Sequence, residues 1–116
     1  MSETKFERPW GYYVNVHEEL GFKLKKIVVY PGKRLSLQSH EHRSEHWVVV
    51  KGSGKIQVGH DFHLLTENQH VYIPKKVLHR IENISSNLEL VFTETQIGNY
   101  LGEDDITRYE DDFGRK

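Results

Sequence analysis

Donor side chains concentrate in Gln38-Ser39-His40-Glu41-His42-Arg43-Ser44-Glu45-His46-Trp47. A further histidine, His79, arrives downstream in Ile73-Pro74-Lys75-Lys76-Val77-Leu78-His79-Arg80-Ile81-Glu82-Asn83. Gln38 and His40 are two apart, so on an extended strand they share one face. Glu45 follows across a short polar gap and opens the apolar run Trp47-Val48-Val49-Val50. Imidazole nitrogens with a carboxylate or amide oxygen, held on rigid strands, suit a borderline divalent metal such as zinc, manganese or iron.

Short strands must position these donors. Tyr12 to His17, Phe22 to Lys25 and Ile27 to Tyr30 read as strands, and the doubled Lys25-Lys26 predicts a bulge between the last two. Leu35 to His40, Glu45 to Lys51 and the hairpin Lys55–Val58/Phe62–Leu65 follow. His70 to Ile73, His79 to Asn83 and Leu88 to Thr95 complete the set. Turn signals separate them, at Pro31-Gly32, Gly52-Ser53-Gly54 and Gly59-His60-Asp61. No long amphipathic helix pattern occurs, and only Asp104 to Tyr109 is expected to form a helical turn or two. The expectation is an all-β sandwich or barrel. Residues 1–7 read as a polar N-terminal arm, and residues 8–116 as one domain.

Composition narrows the function classes. In 116 residues, 36% are hydrophobic and 28% charged, which supports one modest core. The net charge of −1 has no sustained basic block, so neither nucleic acid nor an anionic membrane is an expected partner. With no cysteine, disulfides and thiolate ligands are excluded. The polar start and the lack of a long apolar run lead to an expected cytoplasmic location.

Gly32, Gln38-x-His40, Glu45 and Gly52 are spaced as in the first cupin motif, with Gln38 standing where His is usual. Pro74, His79 and Asn83 match the second motif, in which Asn68 and Lys76 replace two glycines, so those turns are expected to differ in shape. Reading His40-x-His42 as the paired donors would put Gly32 too far and Glu45 too near, which leaves His42 as a loop residue or one that supports the donors from behind. Leu35-Ser36-Leu37-Gln38, Arg43-Ser44-Glu45-His46-Trp47, Leu65-Thr66-Glu67-Asn68-Gln69, Tyr72-Ile73-Pro74 and Tyr100-Leu101-Gly102-Glu103-Asp104-Asp105-Ile106 resemble type II mannose-6-phosphate isomerase. That domain usually ends a bifunctional mannose-1-phosphate guanylyltransferase.

The resemblance implies a cupin double-stranded β-helix, a jelly-roll barrel with a divalent metal inside one end. Gln38, His40, Glu45 and His79 would hold the metal, which is expected to be zinc, with manganese, cobalt or iron as alternatives. It also implies an isomerase that interconverts mannose 6-phosphate and fructose 6-phosphate by an enediol proton transfer, for GDP-mannose and polysaccharide synthesis. Glu45 and Arg43 are the catalytic candidates, and Arg43 and Arg80 the candidates for binding the sugar phosphate. Gln38, a weak neutral donor, has the alternative role of a hydrogen bond beside the metal. His17, His60, His63 and His70 read as surface or packing residues. Trp10 and Trp47 read as core anchors, Trp47 on the same face as Glu45. A homodimer is expected. The competing readings are a non-catalytic cupin that binds a sugar phosphate or regulates a partner, and a cupin oxygenase or decarboxylase.

Overall fold

A computed structural model describes residues 4–115. Eleven strands form two antiparallel sheets among these residues. The six-stranded sheet has the order β1(Phe6–Arg8), β2(Gly11–Glu19), β3(Phe22–Val29), β10(Leu90–Gly98), β5(Arg43–Lys51), β8(His70–Ile73). The five-stranded sheet has the order β11(Thr107–Glu110), β4(Leu37–Ser39), β9(His79–Asn83), β6(Gly54–Val58), β7(Asp61–Leu65). Residues 1–3, the start of the expected arm, lie outside the described residues, and Phe6–Arg8 pair with β2. No helix among the described residues is long and apolar enough to cross a membrane.

Period-2 alternation builds the inner face of the larger sheet. On β3, Lys23, Lys25, Ile27 and Val29 are buried, and on β10 their partners are Gln96, Glu94, Phe92 and Leu90. On β5, Val49, Trp47 and Glu45 lie opposite Phe92, Glu94 and Gln96. The inner face therefore runs from apolar at one end to charged at the other. Its apolar half meets Ile56, Leu65 and Ile81 of the other sheet, and Leu35 just before β4, in one core. Each large side chain buried there contributes about 1.5–3 kcal/mol.

Two expectations need correction. No bulge occurs at Lys25-Lys26, because both lysines keep the alternation and Lys25 faces inward. Inside, Lys25 lies over the Tyr13 ring and reaches Glu103 at 2.8 Å, while Lys23 reaches the Leu101 carbonyl. The register shift falls on β2, between Asn15 and His17. Nor do Asp104 to Tyr109 turn into helix: Thr107–Glu110 pair with Leu37–Ser39. The β-branched and aromatic residues Thr107 and Tyr109 suit a strand that covers the open edge of β4.

Candidate active site

His40, Glu45 and His79 come together, buried, with one donor atom from each lying within 4.8 Å of the others. Glu45 points inward from β5, next to the edge strand of the larger sheet, with β10 and β8 on either side. His79 opens β9, and His40 follows β4, so the donors come from both sheets. Backbone contacts set the two histidines. His40 Nδ1 lies 2.7 Å from the Asp105 carbonyl and His79 Nδ1 3.1 Å from the Val77 carbonyl. Each Nδ1–H donates, so each Nε2 keeps a lone pair. Those lone pairs face Glu45, His40 at 3.2 Å and His79 at 3.9 Å.

Electrostatics fix the protonation states. Burial pushes His40 down to about 4, against the pull of Glu45, and also lowers His79. Burial alone would raise Glu45, but His79, His40 and Arg43 hold it down at about 2. Two neutral imidazoles and a carboxylate thus present acceptor atoms to one another. A cation between them relieves that convergence, and this donor set fits a divalent metal. Gln38 lies on β4 directly across from His79. Its Nε2 donates to Ser36 Oγ and the Ser36 carbonyl. Its Oε1, the donor atom of an amide, has no protein partner among the described residues.

Glu45 is held on both sides. Arg43 Nε donates to its Oε2 at 2.8 Å, and Trp47 Nε1 donates to its Oε1 at 2.9 Å. Arg43 Nη2 also donates to His40 Nε2 at 3.3 Å. Trp47 packs edge-on against the His79 ring and against Phe92, inside as its spacing from Glu45 predicts. Arg80, by contrast, spends its guanidinium on the Leu35 carbonyl, Glu110 Oε1 and the Glu110 carbonyl. His42 is exposed and meets the Tyr100 ring edge-on. His17, His60, His63 and His70 are exposed, as expected.

The donors line one end of a cavity of about 140 Å³, room for on the order of ten waters. Its wall holds residues that the sequence reading did not single out. Glu94 is buried, and its Oε2 accepts from Gln96 Nε2 at 2.6 Å. Burial, with the negative charge of Glu45 adding, pushes Glu94 up to about 8. Asp105 shapes the donor loop: its carboxylate accepts from the Glu41 and His42 amides, and its carbonyl orients His40. Inward alternation on β10 was the available signal for Glu94, and for Asp105 the signal was its place in the stretch from Tyr100 to Ile106 that carries the family resemblance. Lys76 ties the loop before His79 to the donor stretch, its amide donating to the His40 carbonyl at 2.7 Å. Asn68 and Lys76 stand at φ 73° and 70°, the left-handed conformation that a glycine takes freely. The substitutions therefore keep the backbone that glycine would give.

Comparison with known proteins agrees with this geometry. Residues 1–111 match the family model "Mannose-6-phosphate isomerase C-terminal". The chain is 50% identical over 111 residues to the xanthan biosynthesis protein XanB of Xanthomonas campestris, covering 96% of this chain and 24% of that protein. It is 49% identical over 108 residues to the alginate biosynthesis protein AlgA of Pseudomonas putida, covering 93% and 22%. It is 44% identical over 115 residues to a mannose-1-phosphate guanylyltransferase of Salmonella montevideo, covering 99% and 24%. The chain thus spans about a quarter of the length of these curated relatives. Among solved structures, oxalate decarboxylase from Bacillus subtilis superposes with a TM-score of 0.81 at 14% identity, covering 92% of this chain and 30% of that one. The capsular polysaccharide assembling protein CapF from Staphylococcus aureus gives 0.79 at 18% identity, covering 94% and 34%. At such identities these two speak for the fold alone. With two antiparallel sheets around a buried His–Glu–His donor set, the chain is a cupin domain belonging to the mannose-6-phosphate isomerase C-terminal family.

Proposed function

We propose that this domain is a metal-dependent aldose–ketose isomerase that interconverts mannose 6-phosphate and fructose 6-phosphate, in support of GDP-mannose and polysaccharide synthesis. The observation that carries the reading is the buried His40–Glu45–His79 donor set at the end of a cavity, in a chain of this family. His40, Glu45 and His79, with Gln38 as a fourth donor, would hold a divalent metal, zinc first, which when bound would supply Lewis-acid stabilisation of the charge that develops on the substrate oxygen. Arg43, against both Glu45 and His40, adds a fixed positive charge at the reacting end. Glu45, held ionised by two donors, is a poor base, and its share in catalysis is to bind and orient. Glu94 suits the proton transfer better. Gln96 fixes one of its oxygens, and the other takes no hydrogen bond from the described residues of the protein. Raised to about 8, Glu94 is mostly the neutral acid near pH 7, and it is the ionised fraction that takes a proton at C2 and, as the acid, returns it to C1.

The same proposal includes double-stranded β-helix closure of the sheets and a homodimer at work in the cytoplasm. Exposed Val48, Val50 and Tyr72, on the outer face of β5 and β8, offer an apolar area to a second copy. Sedimentation equilibrium tests the dimer.

Turnover in heavy water tests the chemistry. Zinc-loaded protein should interconvert the two sugars and place deuterium at C2 of mannose 6-phosphate or C1 of fructose 6-phosphate, read by proton NMR. Metal bound without turnover of any hexose phosphate would sink the isomerase reading and favour a non-catalytic binding domain.

A further inference from the structure

Five arginines line the cavity: Arg8, Arg43, Arg80, Arg108 and Arg115. Four of them have acceptors. Arg43 is held by Glu45, and Arg80 by Leu35 and Glu110. Arg115 makes a bidentate pair with Asp111, and Arg8 donates to the Glu7 carbonyl and to Tyr13 Oη. Arg108 has none. Its Nε is buried without a partner, and no side-chain or backbone oxygen of the described residues accepts from the rest of its guanidinium. Burial, reinforced by the charge of Arg115, lowers its pKa from the ordinary value. The buried Nε–H is a donor that water does not reach, and a ligand in the cavity would complete it.

Strand register places this group. Arg108 on β11 lies opposite Gln38 on β4, and Gln38 lies opposite His79 on β9. Residues directly opposite on neighbouring strands project to the same face, so all three side chains look into the cavity they line. Two strand spacings separate the Arg108 and His79 backbones, about 10 Å. An open six-carbon chain with a terminal phosphate spans that interval, its reacting end toward the donor set.

We infer that Arg108 is the anion-binding residue of the cavity, taking the phosphate of a phosphorylated sugar in a bidentate pair, on the strand two spacings from that of His79. The inference rests on the sugar-phosphate reading for its ligand, but not on turnover. It moves the phosphate contact away from Arg43 and Arg80, whose guanidinium groups are already engaged.

Calorimetric titration of zinc-loaded protein with mannose 6-phosphate, mannose and inorganic phosphate tests it, using wild type, Arg108→Met and Arg108→Lys. The expected results are clear. Wild type binds mannose 6-phosphate at least tenfold more tightly than mannose. Arg108→Met loses that difference, and Arg108→Lys, keeping charge without the fork, retains part of it. Inorganic phosphate raises the melting temperature of wild type but not of Arg108→Met. Without ligand, Arg108→Met melts at or above the wild-type temperature, because an uncompensated charge has gone. Should that variant fail to fold, Arg108→Lys carries the comparison. Mannose 6-phosphate binding unchanged in Arg108→Met, or equal wild-type affinity for phosphorylated and free sugar, overturns the inference. Arg108-dependent binding without turnover would leave this subsite standing and remove the isomerase reading. Turnover whose KM ignores Arg108→Met would do the reverse.

Discussion

The Arg43–Glu45 pair gives the sharpest test of the energetics of the site. The two side chains are 7% and 1% exposed and 2.8 Å apart. At an effective dielectric near 20, unit charges at that distance attract by roughly 6 kcal/mol. Desolvating two ions costs several kcal/mol each, so the intact pair adds little net stability over an apolar pair. Breaking it is different. Glu45→Gln keeps the shape and an acceptor for Trp47, but it turns an amide toward Arg43 and leaves a buried guanidinium uncompensated. The expected loss is about 3–5 kcal/mol. Arg43→Met alone should also destabilise, because Glu45 keeps only Trp47 as donor. The double variant should lose little more than the worse single, a coupling of about 2–3 kcal/mol. Urea denaturation of chelator-treated protein at pH 7 measures all four corners of the cycle. Single-variant losses that add to within about 0.5 kcal/mol would refute the claim that the pair acts as a unit.

Other outcomes follow from the same geometry. His40→Ala and His79→Ala should each weaken zinc binding at least tenfold by equilibrium dialysis against a chromophoric chelator; wild-type metal content in both would mean that the donors lie elsewhere. Metal-free protein should lose stability on acidification. The unfolded chain takes up protons near 6.5 while folded His40 resists until about 4, so stability falls as the pH drops through that window, by on the order of 3 kcal/mol. Buried His79 and ionised Glu45 act in the same direction, Glu45 between about 4.5 and about 2. A flat urea midpoint from pH 7 to pH 4.5 would contradict this. Lys76→Gly should raise stability by about 0.5–1 kcal/mol, because glycine takes φ 70° without the Cβ penalty, and thermal melts would register the gain.

Much of the site was legible in the residues themselves. Strand alternation is a local rule, and it sends Glu45 and Trp47 to one face wherever the strand lies, whereas His40, Glu45 and His79 stand on three segments of two sheets and meet only in the fold. Gly54–Val58 and Asp61–Leu65 form the hairpin that their turn residues announce. Alternation does not say which face is inside, however. Lys23 and Lys25 have the pattern of a solvent face, yet they point inward because that end of the sheet surrounds a polar cavity closed by Glu103. Glu94 is acidic by sequence and pushed up to about 8 only by its enclosure.

Long-range pairing decided the rest. Asp105 and Arg108 sit in a short segment whose local pattern is ambiguous between turn and strand. Only the unpaired edge of β4, some seventy residues earlier in the chain, makes Thr107–Glu110 a strand. That one pairing brings the Asp105 carbonyl to His40 and carries Arg108 into line with Gln38 and His79. The sequence by itself determined the side-chain types of the candidate donors, the strand-rich class and the turns, because these depend on neighbours a few residues apart. The tertiary structure decided the inward lysines, the raised carboxyl and the unpaired guanidinium, because burial and register are properties of strands that meet from distant parts of the chain.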